Sequence, residues 1–247
     1  MKQPLISIIM PNYNAGSFIK ASIESVITQT YDNWELWIID DASTDTSLES
    51  INSFVKLDSR IQRIVLPENK GPAIARNKGI EKCNGEFIAF LDSDDRWIPR
   101  KLEKQLEFMV RHNYVVSFTS YVSITEDGKS SKFIKAKEKV TYSDLLTNNY
   151  IGCLTAMYHV KTLGKIYFPK IKKRQDWAMW LKITKNNINA YGLEDSLGIY
   201  TKRKVSVSSN KLKLFRYNWI VYRRFEKINC LKSIYLIFIL IFKKIVK

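Results

Sequence analysis

The sequence FLDSDD at residues 90–95 closes a short β-like run that begins at residue 86. Three carboxylates, Asp92, Asp94 and Asp95, stand there within four positions. Parallel sheets present ligands at the carboxyl ends of their strands, and carboxylates packed together repel one another unless a cation neutralises them. Mg²⁺ and Mn²⁺ prefer such oxygen ligands, but an ordinary polar turn whose aspartate caps the next helix has the same pattern. The segment therefore predicts a strand end that is either a cation site or a capped turn.

The residues before this turn alternate between strand and helix patterns. Short apolar runs predict buried strands at residues 5–10, 34–39, 61–66 and 86–91, and helical spacing predicts helices at residues 17–28, 43–55 and 71–82. Four strands joined by helices through short connections indicate an α/β fold, a parallel sheet covered by helices on both faces. Right-handed crossovers then bring residues 12–14, 40–41 and 92–95 to one edge of the sheet.

The second half of the chain is less regular. Its patterns predict helices at 99–112, 141–148 and 175–186, strands at 114–125, 154–159 and 196–202, a hairpin turn at 126–129, and a helix from 209 to the end. The 247 residues, of which 45% are hydrophobic, suffice for one sizeable core with or without an appendage.

Charge and residue counts narrow the class of protein. A formal net charge of +16 favours an anionic partner, namely a nucleic acid, an anionic lipid or a phosphorylated substrate. The three cysteines lie far apart and form no CxxC pair, so we expect reduced, packed thiols. With only His112 and His159 present, a histidine-based zinc site and a Ser-His-Asp triad are both disfavoured. The first ten residues are typical of a buried strand rather than a secretory signal.

Individual side chains at the predicted edge have two interpretations each. Tyr13 can stack on a nucleobase or cap the sheet as a core residue, and Asp41 can bind a base or ribose or cap the next helix. Arg76 lies one turn into a helix that begins near Gly71, where helix N-termini attract phosphate, although a solvated helix face is the alternative. The GxxxxGK[ST] and GxGxxG patterns are both absent.

Four segments together identify a family resemblance. SIIMPNYN at residues 7–14, SVITQT at 25–30, IDDASTD at 39–45 and FLDSDD at 90–95 resemble the family 2 glycosyltransferases with the GT-A fold. The resemblance is strong over residues 1–97 and traceable to about residue 208. It implies a Rossmann-like mixed, mainly parallel sheet and an inverting transfer of one sugar from a nucleotide-sugar donor, most often a UDP-sugar.

The resemblance also implies roles for individual residues. Asp94 would ligate the Mn²⁺ or Mg²⁺ that bridges the donor diphosphate, within a DxD element formed by residues 92–94. The expected nucleotide-sugar-binding residues are Pro11, Tyr13, Asn14, Asp41, Arg76, Asp92, Ser93 and Arg203. Residues 200–206 resemble a family loop that closes over the diphosphate. Family members often carry histidine where Arg203 stands, and because arginine does not ligate metals we expect a phosphate contact there.

An inverting transfer needs a base that takes a proton from the acceptor hydroxyl. The candidate is Asp176, which matches an acidic family residue at a helix start, although Gln175 replaces the Glu that commonly precedes it. Helix capping is its alternative role. The pair Glu194 and Asp195 is a rival base that fits the spacing less well. The QxxRW pattern of processive synthases is absent, which favours a single-sugar transferase.

The C-terminal tail concentrates positive charge beside an apolar segment. Residues 234–242 are nine apolar residues in a row, whereas spanning a bilayer takes about 20. Basic and aromatic residues upstream favour an interfacial helix on anionic lipid, and the alternatives are packing against the domain or pairing with another subunit in a homo-oligomer. A basic cluster at residues 170–174 would either hold the diphosphate of a lipid-linked acceptor or be a solvated loop.

These observations combine into one expectation. Residues 1–208 form a GT-A catalytic domain, with a nucleotide-binding half at 1–97 and an acceptor-binding half at 98–208, and residues 209–247 form a basic amphipathic helical tail. The protein is expected in the cytoplasm, peripheral on the inner face of the cell membrane, acting on a glycan acceptor in O-antigen, capsule or lipooligosaccharide synthesis. The alternatives are a nucleotidyltransferase, which lacks a good Gly-rich activating loop here, and a basic nucleic-acid-binding protein.

Overall fold

The structure, a computed structural model, describes residues 3–203 and 211–245, except for the side chains of residues 211–213 and 244–245. Its helices and strands, in chain order, are β1 (Ile6–Asn12), α1 (Ile19–Ile27), β2 (Trp34–Asp40), α2 (Ser47–Leu57), β3 (Ile61–Val65), α3 (Pro72–Lys82), β4 (Phe87–Phe90), β5 (Arg96–Trp97), α4 (Lys101–His112), β6 (Val116–Thr125), β7 (Ser131–Ile134), β8 (Lys139–Val140), α5 (Tyr142–Thr147), a 3₁₀ turn (Cys153–Thr155), β9 (Met157–His159), α6 (Val160–Leu163), α7 (Gln175–Thr184), β10 (Ala190–Lys202), α8 (Lys211–Ile220), a π-helical turn (Val221–Phe225) and α9 (Cys230–Ile245).

The strands of the described residues form one mixed sheet. Their order is β3-β2-β1-β4-β9-β6-β10-β5, with β7 beside β6 and β8 beside β10. The first four strands are parallel, which confirms the expectation from the sequence. Beyond them β9 runs antiparallel to both β4 and β6, and β6 pairs in parallel with β10. The predicted mixed, mainly parallel α/β architecture is therefore confirmed.

Helices cover both faces of this sheet. All seven residues of β1 are buried, as expected for a central parallel strand that is covered on each side. One buried cluster contains side chains of α1 and α4, such as Ile23 and Leu102. The other contains side chains of α3 and α7, such as Ile80 and Trp180. The alternating strand and helix pattern of the sequence follows from this layered packing.

The close contact between α3 and the sheet depends on Gly79. A Cβ atom at this position would lie 2.7 Å from a side-chain carbon of Ile9 and 2.8 Å from one of Ile39. Neither carbon has space to retreat, because both side chains are fully buried. A side chain at residue 79 would therefore push α3 away from the sheet, and with it the N-terminal end of the helix.

Two predicted strands have different bounds in the structure. The expected strand at 154–159 is divided, because the 3₁₀ turn Cys153–Thr155 precedes β9. The indole of Trp97 donates a hydrogen bond to the Leu154 carbonyl at 2.8 Å, which holds that turn. β10 begins at Ala190 rather than at 196, and its register shifts between Leu193 and Ser196. The polar pair Glu194 and Asp195 lies at this irregularity, which explains why the pattern indicated a break there.

The tail is not one continuous helix. Residues 209 and 210, where the predicted helix begins, lie outside the described residues. Helix α8 passes into the π-helical turn Val221–Phe225, and the helix is then interrupted before α9 begins. Tyr222 is fully buried in the core, and Glu226, 6% exposed, accepts a hydrogen bond of 2.6 Å from the Tyr142 hydroxyl. This part of the tail is therefore anchored to the domain.

Helix α9 packs on the domain with only one face. Leu236 and Leu240 are buried in the core. Large apolar side chains on the other face are 64–82% exposed: Leu231, Tyr235, Phe238 and Phe242. The alternative that the tail packs against the domain is thus right for one face of α9. Among the described helices, none combines the length and the apolar character that crossing a membrane requires.

The cysteines are all free, in agreement with the sequence. Cys83 and Cys153 are buried, whereas Cys230 is exposed at the start of α9. The expectation of packed thiols is therefore wrong for Cys230, because the helix that carries it turns that residue outward.

Candidate active site

A cleft of about 670 Å³ lies at the carboxyl ends of the parallel strands. Eight of the ten predicted site residues line it: Pro11, Tyr13, Asp41, Arg76, Asp92, Asp94, Asp176 and Arg203. Asn14 and Ser93 do not belong to this lining. The predicted sheet edge and the predicted helix start at residue 175 therefore face a common space.

The ends of β1 and β2 form the rim of the cleft. Tyr13 is 48% exposed there, which leaves its ring available to a ligand. Asp41 is buried and accepts hydrogen bonds from the backbone amides of Lys70 and Gly71 at 2.8 and 2.7 Å. Each of its oxygens retains one further acceptor site, so Asp41 fixes the start of α3 without losing its capacity to bind a ligand.

Asn14 serves the loop rather than the cleft. Its φ of +46° lies in the left-handed region that asparagine tolerates better than most residues. Its side-chain oxygen accepts a hydrogen bond from the backbone amide of Thr44 at 2.8 Å, and its backbone amide donates to the Ser43 hydroxyl at 3.0 Å. These contacts explain why Asn14, predicted to bind the nucleotide sugar, does not line the cleft.

Arg76 and Asp92 form a partly buried ion pair that lines the cleft. The guanidinium of Arg76 donates to Asp92 Oδ1, and its Cζ lies 5.2 Å from the centroid of the Phe168 ring. Burial opposes the positive charge, but the hydrogen bond to Asp92 and the charges of Asp92, Cys153 and Asp176 together outweigh it and raise the pKa of Arg76. Arg76 is thus permanently charged and holds Asp92, in addition to the predicted contact with base or ribose.

The acidic turn after β4 is pinned from below. The Ser22 hydroxyl of α1 lies 2.8 Å from the Ser93 carbonyl and 2.7 Å from the Asp95 carbonyl. Ser93 is buried by this contact, 7% exposed, which explains why it does not line the cleft despite its place in the predicted DxD element. The three acidic residues of the turn all line the cleft: Asp92, Asp94 and Asp95, here called the acidic wall.

The acidic wall holds more negative charge than its protein surroundings neutralise. Burial, and then the charge of Asp92, raise the pKa of Asp94 to about 6, although Arg203 opposes the shift. Burial and both neighbouring aspartates raise the pKa of Asp95 well above its ordinary value. Asp95 Oδ1 accepts a hydrogen bond from the Thr201 amide at 2.9 Å, whereas its buried Oδ2 has no partner. A cation at this wall would relieve the repulsion.

The residues present fit a divalent ion that is shared with a substrate. Within residues 3–203 and 211–245, no group of three or more His, Cys, Asp or Glu is arranged to enclose a metal. A divalent ion at Asp94 would therefore take most of its ligands from outside the chain. Mg²⁺ is commonly bound in this way, through one or two carboxylates and the phosphates of a substrate.

Arg203 lies at the acidic wall near the end of β10. Its guanidinium nitrogen is 3.7 Å from Asp94 Oδ2, and its Cζ is 5.1 Å from the centroid of the Phe18 ring. An arginine in this position suits a phosphate group that approaches Asp94. The remainder of the predicted closing loop, residues 204–206, lies outside the described residues.

Asp176 lines the cleft from the first turn of α7, a different element from the strand ends that carry the acidic wall. Asn149 donates a hydrogen bond to Asp176 Oδ2 at 2.9 Å, which orients the carboxylate. Burial raises the pKa of the Cys153 thiol, Arg76 opposes the shift, and the charges of Asp92 and Asp176 add to it. Because the charges of Asp92 and Asp176 both raise the pKa of Cys153, both carboxylates lie within electrostatic reach of this thiol.

The rival pair Glu194 and Asp195 is engaged elsewhere. Lys135 lies 2.6 Å from Glu194 Oε1, and Lys104 pairs with Asp195. Neither carboxylate lines the cleft. Of the two predicted bases, only Asp176 therefore has access to the space in front of the acidic wall.

A basic segment precedes Asp176 in the chain. Lys172, Lys173 and Arg174, here called the basic wall, line the cleft, whereas Lys170 does not. Arg174 is the N-cap of α7 and has a φ of +66°. Its buried Nε has no hydrogen-bond partner.

Several cleft residues have no clear signal in the sequence. Tyr121, Cys153 and Tyr200 line the cleft, and Asn149 contacts Asp176 from 27 positions away. Tyr200 is the first residue of the segment 200–206 that resembles the closing loop over the diphosphate, which is the one local signal among them. The other three come from irregular connections or from the middle of a strand, so only the folded sheet brings them to the site.

Comparison with known proteins agrees with this geometry. The family model "Glycosyl transferase family 2" matches residues 7–189. The proposed teichuronic acid biosynthesis glycosyltransferase TuaG of Bacillus subtilis (strain 168) is 44% identical over 94% of this chain and 92% of its own. The Escherichia coli UDP-Glc:alpha-D-GlcNAc-diphosphoundecaprenol beta-1,3-glucosyltransferase WfgD is 42% identical over 95% of this chain and 91% of its own.

A solved structure extends the comparison to the fold. The crystal structure of S. aureus TarS 1-349 in complex with UDP-GlcNAc superposes with a TM-score of 0.72 and 25% sequence identity. The superposition covers 87% of this chain and 65% of that one. The GT-A architecture expected from the sequence is thereby confirmed.

Proposed function

This chain belongs to glycosyl transferase family 2, and we propose that it transfers one sugar, with inversion, from a UDP-sugar to a lipid-linked glycan acceptor during bacterial surface-polysaccharide synthesis. The observation that carries the proposal is that Asp94, just after β4, and Asp176, at the start of α7, line one cleft at the carboxyl edge of the sheet. Membership of a glycosyltransferase family disfavours both alternatives, a nucleotidyltransferase and a nucleic-acid-binding protein.

The donor is assigned to the sheet edge. Tyr13, with its exposed ring, stacks on the uracil, and Asp41 accepts hydrogen bonds from the nucleoside with the acceptor sites that the α3 amides leave free. Arg76 pairs with Asp92 and orients its carboxylate towards the ribose or the sugar. TarS, a structural neighbour at 25% identity, was crystallised with UDP-GlcNAc, which supports a UDP-sugar in this position.

The diphosphate of the donor is assigned to the acidic wall. Asp94 would hold a Mn²⁺ or Mg²⁺ ion, which when bound acts as a Lewis acid that neutralises the charge of the departing nucleoside diphosphate. Arg203, 3.7 Å from Asp94, contacts a phosphate oxygen. Asp95, which is almost fully buried, holds the end of β10 through the Thr201 amide and so keeps Arg203 near Asp94.

Asp176 is assigned as the general base. Asn149 holds Oδ2, so that Oδ1 is free to accept the proton of the acceptor hydroxyl. A base on the side of the cleft opposite the leaving group allows attack from the far side of the sugar ring, which inverts the anomeric centre.

The acceptor is assigned to the lipid-linked class. WfgD, 42% identical over nearly the whole chain, is named for transfer to GlcNAc-diphosphoundecaprenol. Such an acceptor resides in a membrane, and the exposed face of α9 supplies a surface for it. Four large apolar side chains lie on that face, and exposed cations flank it at Arg223, Arg224, Lys227, Lys232 and Lys243. We assign α9 to docking on the inner face of an anionic cell membrane.

The function is tested by a screen of nucleotide sugars. Purified protein is incubated with UDP-, GDP- and dTDP-sugars, with and without Mn²⁺, and release of the nucleoside diphosphate is measured. We expect a UDP-sugar to be hydrolysed slowly and only with the metal present, because water replaces the acceptor. The assignment would be contradicted if the protein binds UDP but hydrolyses none of the donors. Hydrolysis that does not depend on the metal would contradict it as well.

Membrane docking is tested by vesicle sedimentation. Replacing Tyr235 and Phe238 together by serine removes exposed apolar area from α9 without touching its buried face. We expect binding to phosphatidylglycerol vesicles to fall at least about tenfold, from the lost apolar burial. The control is Leu57→Ser on α2, an apolar side chain that is even more exposed, at 81%, but lies in another helix. Equal binding by the double variant and the wild type would refute docking through α9.

A further inference from the structure

The cleft contains two separate groups of cations. Arg76 and Arg203 act on the acidic wall, since both lower the pKa of Asp94. The charges that raise the pKa of Arg174 are those of Asp176 and Tyr222, not those of the acidic wall, although burial prevails and lowers it. The basic wall thus lies beside the base, Asp176, in the first turn of α7.

The two lysines of the basic wall have no anionic partner within the described residues. Lys172 and Lys173 form no ion pair and donate no side-chain hydrogen bond within the described residues. The Nε atom of Arg174 is buried without a partner, and the guanidinium lies 5.6 Å from the centroid of the Trp177 ring. A buried donor without a partner costs about 1–3 kcal/mol, and a ligand that accepts the hydrogen bond removes that cost.

The backbone at this position also favours an anion. Arg174 occupies the left-handed region, which is unfavourable for a residue with a side chain and persists where the surrounding structure fixes it. It directly precedes α7, a helix of ten residues, whose first amides have no partners within the helix. Partial positive charge at a helix N-terminus adds to the three cationic side chains.

The basic wall is connected to the helix assigned to the membrane. Lys243 of α9 donates a hydrogen bond to the Thr147 hydroxyl of α5 at 2.8 Å. Two residues beyond Thr147, Asn149 donates to Asp176, which lies two residues after Arg174. These contacts place α9 close to the basic wall and the base, so the head group of a lipid that lies near α9 is also near them.

We propose that Lys172, Lys173 and Arg174 bind the diphosphate of the lipid-linked acceptor and so place its sugar against Asp176. This assignment rests on the proposed function and adds to it the site at which the acceptor is recognised. The cleft then contains two diphosphates that are held differently, the donor's through the acidic wall and the acceptor's by direct contact with cations.

Binding in the presence of saturating UDP and Mn²⁺ tests the proposal, because the donor position is then filled. The probes are N-acetylglucosaminyl α-diphosphate carrying an undecyl chain and the undecyl glycoside of the same sugar without phosphate. We expect the wild type to prefer the diphosphate probe about 10- to 100-fold, as expected for charge-assisted hydrogen bonds. The Lys172→Ala/Lys173→Ala variant should lose most of this preference.

Two controls make the outcome specific. Lys170→Ala removes a charge from the same segment but outside the cleft, and should keep the full preference. UDP affinity and the melting temperature of the double variant should match the wild type, since neither lysine has a partner in the fold. No preference in the wild type, or the full preference in the double variant, would overturn the proposal. Weakened UDP binding would do so as well, because it assigns these lysines to the donor. If binding behaves as expected but no sugar is transferred, the proposed reaction fails while the diphosphate site stands.

Discussion

The two sides of the cleft differ in charge and in how the chain builds them. The acidic wall follows β4, where the backbone continues a buried parallel strand and the side chains emerge at its end. The basic wall precedes α7 and is set by a residue with a positive φ and by contacts with α5. A strand end positions charge through regular geometry, whereas a helix start positions it through a loop that the rest of the fold must hold.

This difference assigns different work to the two walls. On the acidic wall, burial and repulsion among the aspartates raise the pKa values of Asp94 and Asp95, and the cation proposed to bind there would relieve that repulsion. On the basic wall, unpartnered cations lie beside a carboxylate that has a single oriented hydrogen bond. Substitutions that separate donor binding from proton transfer therefore test the comparison directly.

The largest effect is expected at Asp176. Replacing Asp176 by Asn removes the base and keeps the size of the side chain, and we expect kcat for sugar transfer to fall by as much as about 10⁴-fold. The Michaelis constant for the donor should remain within about twofold, because Asp176 lies on a different element from the donor residues. Glu194→Gln is the control, since that carboxylate pairs with Lys135 outside the cleft, and it should leave kcat unchanged. Near-full activity of D176N would break the assignment of the base.

Asp94→Asn is expected to have the next largest effect. The amide retains the shape of the side chain but removes the charge that would hold the metal ion, and we expect transfer to fall about 10³-fold. Added Mn²⁺ should not restore the rate, and this is measured with initial velocities over a metal titration. A D94N protein that regains wild-type velocity at high Mn²⁺ would place the essential metal ligand elsewhere.

Asn149→Ala should have a smaller effect, confined to the side of the base. Loss of the hydrogen bond to Asp176 Oδ2 leaves the carboxylate less well oriented, and we expect kcat to fall about tenfold with an unchanged donor constant. Asn148→Ala is the matched control, because it removes an amide one position away that does not contact Asp176. An equal loss in both variants would attribute the effect to the loop rather than to the base.

The smallest expected effect is on stability, and it belongs to the acidic wall. Burial and Asp92 raise the pKa of Asp94 to about 6, so the folded state binds a proton that the unfolded state releases near pH 4. Stability therefore falls as pH rises through this window, and Asp94→Asn should avoid the loss. In chelator-treated protein we expect D94N to unfold at pH 7.5 with a free energy about 1–3 kcal/mol higher than the wild type. Chemical denaturation should find this difference gone below about pH 4, and its persistence there would rule out the electrostatic explanation.

The acidic wall was predictable from the sequence because parallel strands have a simple rule. Buried apolar runs mark the strands, and right-handed crossovers bring the strand ends together. The sequence pattern alone therefore places Asp41, Asp92 and Asp94 on one edge of the sheet. The rule does not state where a side chain turns afterwards. Asn14 and Ser93 illustrate this, since contacts with Thr44 and Ser22 take them out of the lining.

The basic wall was less predictable because it depends on distant contacts. Asp176 was found through the family resemblance, but its partner Asn149 is 27 residues away and follows no pattern. The π-helical turn at Val221–Phe225 and the break before α9 were missed as well, because the tail has helical composition throughout. Buried contacts of Tyr222 and Glu226 with the domain decide that geometry, and local periodicity does not record them.

The central claim is that the acidic wall binds the donor diphosphate through a metal ion while the opposite side does not. Calorimetric titration of UDP with and without Mn²⁺ into the wild type, D94N and D176N tests it most directly. We predict that Mn²⁺ tightens UDP binding at least about tenfold in the wild type and in D176N, and not at all in D94N. Metal-dependent UDP binding that survives in D94N, or that disappears in D176N, would contradict it.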